Sequence, residues 1–181
     1  MQFWKKFESS KINSYHLIEK GSFGKVYKVT TNKNSYAAKC LTISEDDPHY
    51  EEILNDIHKE IKMLENLQNM IIRPKSILKY HGYYTTKDET KKEISYYIVT
   101  ELKEGSLKQL IEKKKKEGVR FKWKEIWDVF RMLLNTMTFL QCEKITHRDL
   151  KPGNILYNFD EGTNKNNFLL LKYKIKTLKK S

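Results

Sequence analysis

The sequence predicts an α+β fold, sheet-rich in its first part and helical in its second. Three observations carry that reading. Residues 15–41 are strand-like, with alternating apolar positions broken by turn residues. A following segment sets Ile53, Ile57, Ile61 and Leu64 at spacings of four, four and three, one face of a helix. Two further strand-like segments then give way to helices.

The first strands read as "YHLIEKG", "GKVYKVT" and "SYAAKCL", with a hairpin turn at "TTNKNS" between the last two. Asp47-Pro48 followed by acidic residues marks the start of the helix "HYEEILNDIHKEIKMLENL". "ILKYHGYYTT" and "EISYYIVTEL" are rich in aromatic and β-branched residues and read as strands joined by the charged loop "KDETKK". A short helix starts at Leu107–Ile111. A long one follows in "WKEIWDVFRMLLNTMTFL", with Ile126, Phe130, Leu133, Leu134, Met137 and Leu140 as a stripe expected to be core. No internal repeat interrupts this order.

Composition is that of a soluble globular chain of 181 residues, long enough for a real core. The net charge is +12, and half of it comes from six lysines in residues 162–181, which contain no acid. A second run, Lys113–Lys116, reads as a solvated helix end. No motif that reads nucleic acid accompanies these lysines, so no specific nucleic-acid partner is expected. Cys40 and Cys142 are far apart and lack metal-site spacing, which fits a reducing compartment. The opening "MQFWKKFESS" has no signal-peptide core, and no apolar run is long enough to cross a bilayer. The expected setting is cytoplasmic, without membrane attachment.

"IEKGSFGKV" holds Gly21, Gly24 and Lys25. A Walker A loop is excluded by glycine spacing and by Val26 after the lysine. A dinucleotide loop needs a following helix, whereas "KVYKVT" is strand-like. The remaining readings are a plain tight turn, or a glycine hairpin whose backbone approaches phosphates closely. Lys39 lies in the apolar strand "YAAK", where an unpaired ammonium is costly. "HRDLKPGN", residues 147–154, packs Asp149, Lys151 and Asn154 into one polar loop after the long helix.

In order and spacing, "KGSFGKV", "YAAK" and "HRDLKPGN" resemble the glycine-rich loop, strand-three lysine and catalytic loop of the eukaryotic protein kinases, serine/threonine type. The likeness runs from about Tyr15 to Leu156. It implies a bilobal fold: an N-lobe antiparallel sheet plus one helix in residues 1–102, and an incomplete helical C-lobe in residues 103–181. It implies ATP and Mg2+ as cofactors and a protein substrate, which the residues do not name. Lys39 would hold the α- and β-phosphates, with Glu60 pairing to it and Glu65 the alternative partner. Asp149 would orient the substrate hydroxyl, Lys151 would stabilise the transferring phosphate, and Asn154 would bind one Mg2+. Gly21, Ser22, Phe23 and Gly24 would cover the phosphates. Val26 and Ala37 would cover one face of adenine and Leu156 the other. Thr100 would be the gatekeeper, with the backbone of Glu101 and Lys103 on the adenine edge. His147 and Arg148 would be structural.

Two departures qualify the resemblance. Glu19 stands where the family places its first loop glycine. After "NILY" the family has a strand and then Asp-Phe-Gly. Here "NNFLLLKYKI" is expected as the strand, and no Asp or Glu occurs after Glu161. The expectation is a C-terminally truncated chain with a compromised metal site and no useful turnover. The rival expectation is a pseudokinase-like interaction module that binds nucleotide weakly or not at all.

Overall fold

The computed structural model describes residues 5–21, 24–160 and 165–170. The chain divides into two compact units: Met1–Ile71 with Lys79–Leu102, and Ile72–Leu78 with Lys103–Ser181.

The first unit is built on a five-stranded antiparallel sheet. Its strands are β1 (Ile12–Gly21), β2 (Gly24–Thr31), β3 (Ser35–Ser44), β4 (Tyr80–Asp88) and β5 (Glu93–Glu101), in the order β1-β2-β3-β5-β4. Helix α1 (Tyr50–Asn69) lies between β3 and β4 in sequence. Asp47 starts it: its carboxylate accepts the His49 amide at 2.8 Å and its carbonyl accepts the Tyr50 amide at 2.9 Å. Glu51 and Glu52 sit in the first turn, where the helix dipole favours acids. The helix buries Ile57, Ile61, Leu64 and Leu67. Ile53, expected on that face, is 36% exposed. It lies in the first turn, and the buried stripe extends instead through Leu67.

Register assigns the two faces of the sheet. Val26 pairs with Lys39, Ala37 with Thr100, and Lys39 with Ile98. Directly opposed residues point the same way, so these five share one face. The other face carries Tyr27, Val29, Tyr36, Ala38, Tyr97, Val99 and Tyr84 by the same alternation. Val29, Ala38 and Val99 are fully buried there. Tyr84 stacks on Tyr97 with centroids 4.5 Å apart, and its hydroxyl donates to the Tyr15 hydroxyl at 3.0 Å. Phe7 closes the layer edge-on against Tyr36 at 5.2 Å. Aromatic packing of this kind stabilises beyond the area it buries.

The second unit contains β6 (Gly105–Ser106), α2 (Leu107–Lys116), α3 (Trp123–Cys142), β7 (Ile155–Asp160) and β8 (Lys165–Leu170), with a three-stranded sheet in the order β6-β7-β8. Ser106 caps α2: its hydroxyl accepts the Gln109 amide, and the Gln109 side chain accepts the Ser106 amide. Lys113–Lys116 form the last turn of α2, where cations oppose the negative end of the dipole. Lys114 departs from the expected solvated end. It bonds Glu125 at 3.3 Å and lies over the Phe121 ring at 4.8 Å.

Helix α3 departs further from its expected role. Leu140 and Thr136 are buried, but Ile126, Phe130 and Leu134 are 45%, 48% and 51% exposed. The stripe is helical in period, yet packing among the described residues closes only over its C-terminal end. The expected strand "NNFLLLKYKI" is β8 as far as Leu170, paired antiparallel to β7 from Ile155–Leu170 to Asp160–Lys165. The rest of that stretch lies outside the described residues.

Gly24 and Tyr80 each yield a prediction. Gly24 has φ +125°, and a Cβ there would stand 2.3 Å from the Cys40 carbonyl oxygen. Gly24→Ala should lower unfolding stability by roughly 2 kcal/mol or more in urea titration. Tyr80 is 1% exposed, and its hydroxyl has no hydrogen-bond partner among the described residues. Tyr80→Phe removes that buried polar atom and should leave stability unchanged or raise it by about 1 kcal/mol.

Candidate active site

In the first unit the site grows from one residue of β3. Alternation places Lys39 on the sheet face that carries Ile98, and its side chain reaches α1. The Lys39 ammonium donates to Glu60 Oε1 at 2.7 Å and Oε2 at 2.8 Å. The side chains are 29% and 15% exposed. A two-oxygen grip on a half-buried ammonium fixes the lysine tip more tightly than a surface pair does. Glu65, the alternative partner, points elsewhere: its Oε1 accepts the Lys5 backbone amide at 2.6 Å.

Val26, Ala37 and Thr100 share the Lys39 face and are half-buried. The glycine-rich segment is a hairpin closed by Gly21 opposite Gly24. Ser22 and Phe23, at its tip, lie outside the described residues. Glu19, the departure from the family pattern, pairs with Val26 across the hairpin. The Glu101 amide donates to the Lys79 carbonyl at 2.9 Å, and its carboxylate accepts the Lys79 amide at 2.7 Å.

In the second unit the polar loop is tightly wound. The Asp149 amide donates to the His147 carbonyl at 2.9 Å and lies 3.3 Å from His147 Nδ1. Arg148, at the centre of that turn, has φ +59°. A left-handed non-glycine residue carries strain of about 1 kcal/mol or more, and such strain gathers where side chains must be aimed. Here the turn directs Asp149 at its neighbours. Asp149 Oδ2 accepts Lys151 Nζ at 3.0 Å and Asn154 Nδ2 at 2.9 Å. Asn154 Nδ2 also donates to the Asp149 carbonyl at 2.7 Å. Asn154 is 3% exposed and its amide nitrogen is committed twice, so its Oδ1 is the free end. A fixed amide oxygen is the donor a hard divalent cation takes. Among the described residues no cluster of three or more His, Cys, Asp or Glu is placed to hold a metal. Asn154 Oδ1 would therefore supply one oxygen to a divalent cation held here. Leu156 lies on β7, half-buried and opposite Ser106. Lys103 belongs to this second unit.

Sequence reasoning missed the Glu65 contact with the chain's N-terminal segment, because no local pattern links residues so far apart. Cys40 and Cys142 are both free thiols, the first buried and the second exposed. No helix of the described chain is long and apolar enough to cross a membrane.

These features coincide with sequence comparison. The protein kinase domain model matches residues 12–172. The chain is 30% identical over 151 residues to a probable serine/threonine-protein kinase of Dictyostelium discoideum, covering 83% of this chain and 15% of that protein. It is 35% identical over 161 residues to the mitosis inhibitor protein kinase of Saccharomyces cerevisiae, covering 83% and 18%. It is 28% identical over 159 residues to the Aurora kinase of Schizosaccharomyces pombe, covering 87% and 40%. The chain belongs to the protein kinase family, with serine/threonine kinases among its relatives. It spans well under half the length of each of these three relatives.

Burial holds the His147 imidazole below its ordinary value of 6.5, with Asp149 pulling the other way. Burial also lowers His58 and His81. A folded state that prefers neutral imidazoles is fully stabilised above the unfolded value. It loses stability as pH falls below about 6.5, where the unfolded chain takes up protons that the folded chain resists. The melting temperature should therefore drop between about pH 7.5 and 5.5. His147→Asn, which keeps an acceptor for the Asp149 amide, should remove part of that drop in thermal scans.

Proposed function

We propose that the chain is a serine/threonine-type protein kinase domain that binds ATP and Mg2+, working inside the cell on a protein substrate. The observation that carries this reading is the Lys39 ammonium gripped by both Glu60 oxygens on the sheet face that also bears Val26, Ala37 and Thr100. An ammonium fixed in place is a point charge for the α- and β-phosphates, and its fixing costs nothing further when the nucleotide arrives. Val26 and Ala37 supply small apolar surface for a base, and Thr100 limits depth beside them. Gly21 and Gly24, flanking the hairpin tip, allow close backbone approach to phosphate.

In the second unit Asp149 takes the role of orienting the substrate hydroxyl and accepting its proton. Lys151, 3.0 Å from it, is the cation for the transferring phosphoryl group. Asn154 Oδ1 would hold the metal, which supplies charge neutralisation across the phosphates. Lys103 and Leu156 keep the nucleotide contacts that the family resemblance gives them.

Asn154 is the metal ligand assigned among the described residues. Glu19, standing where the family places its first loop glycine, favours a second reading, a non-catalytic module of kinase shape.

Thermal shift with ATP, with and without Mg2+, separates the readings. ATP should raise the melting temperature. Lys39→Met should weaken ATP about tenfold or more, as expected when a charge-assisted contact is lost. No ATP shift in the wild-type chain would favour the non-nucleotide module. Mg2+-dependent phosphorylation of a basic peptide would overturn the non-catalytic module.

A further inference from the structure

We propose that Glu65 is a positioning residue, through which the chain segment Lys5–Phe7 straps α1 to the edge of the sheet and so holds Glu60 against Lys39. The inference rests on the role given above to the Lys39–Glu60 pair.

Three independent contacts define the strap. Residues 5–7 lie along β4 as a short parallel bridge, Lys6 opposite Tyr83. The Phe7 amide donates to the Tyr83 carbonyl at 2.7 Å, and the Tyr83 amide donates to the Lys5 carbonyl at 3.2 Å. The Phe7 side chain anchors the segment in the aromatic layer, 5.2 Å from Tyr36 and 6.2 Å from Tyr84. The Lys5 amide then crosses to α1 and donates to Glu65 Oε1 at 2.6 Å. The last contact is a charge-assisted bond from one element to another, of the stronger kind.

The sheet edge is shaped for this segment. β4 carries an irregularity between Tyr80 and Gly82. Gly82 has φ +134°, and a Cβ there would stand 2.8 Å from the Lys5 carbonyl oxygen and 3.0 Å from the Phe7 nitrogen. Glycine is thus required both by backbone conformation and by the strap's approach. Burial raises the Tyr80 and Tyr83 phenols, and the nearby Glu65 carboxylate adds to it.

The consequence follows from rigidity. Glu60 and Glu65 are on one helix, so a tether at Glu65 resists sliding or tilting of the turn that presents Glu60. The pair with Lys39 holds α1 to β3. The strap at Glu65 and the Tyr80 amide, which donates to Gln68 Oε1 at 3.2 Å, hold its C-terminal half to β4. Lifting residues 5–7 removes the attachment nearest Glu60 and loosens the turn that presents it.

The test uses the whole 181-residue chain. Amide hydrogen exchange is measured in α1 for wild type, Glu65→Ala, Glu65→Gln and Phe7→Ala, with Gly82→Ala as a further disruption of the strap. ATP affinity is measured by calorimetry for the same set and on a Glu60→Ala background. Exchange in α1 should rise roughly tenfold in Glu65→Ala and Phe7→Ala and stay near wild type in Glu65→Gln, which retains an acceptor oxygen. ATP should bind several-fold more weakly in the first two variants, and neither should weaken it further once Glu60 is alanine. Unchanged α1 exchange overturns the strap. A full additional loss of affinity on the Glu60→Ala background overturns its action through Glu60. If wild-type chain takes up no ATP, the nucleotide reading fails by itself, and the exchange measurement alone upholds or overturns the strap.

Discussion

A lysine ammonium directed into the apolar side of a sheet is the constraint on which the first unit turns. Lys39 stands on β3 opposite Val26 and Ile98, and the strand leaves it no route to point outward without reversing every neighbour. The charge has to be met from α1. Glu60 meets it with both carboxylate oxygens, and the apolar stripe Ile57, Ile61, Leu64 and Leu67 sets the helix on the sheet. Packing and charge thus agree on one placement of the helix. Agreement of that kind narrows the alternatives open to a chain.

The opposite face of the same sheet is closed by different means. No helix of the first unit is left to cover it, since α1 is committed to Lys39. Tyrosines from β1, β2, β3, β4 and β5 fill the layer with one another, and Phe7 completes it. Tyrosine suits the position because its ring is buried while its hydroxyl finds a partner at the rim, as Tyr84 does with Tyr15.

The second unit concentrates its constraint into eight residues. A strained Arg148, a His147 buried at the start of the turn and a doubly committed Asn154 amide make Asp149 a fixed group rather than a mobile loop carboxylate. Lys151 is exposed beyond them and reaches back to the same oxygen that Asn154 holds. A carboxylate so encircled by donors is held in one orientation.

Most elements of the fold were legible in the chain because their signals are local: two-residue alternation for the strands, a four-and-three spacing for α1, a turn at "TTNKNS". The candidate residues were legible because "YAAK" and "HRDLKPGN" keep fixed types at fixed spacing. What local pattern could not reveal was which surface each side chain would meet. The spacing in α3 is as regular as in α1, yet Phe130 and Leu134 stay exposed, because periodicity states which residues share a face and not whether anything covers it. Lys114 reads as one of four identical lysines until Phe121 and Glu125 fold over it. Glu60 and Glu65 are both acids on α1, five positions apart. Tertiary structure gave the first to Lys39 and the second to the Lys5 amide, because a helix turns by 3.6 residues and carries the two carboxylates to different neighbours.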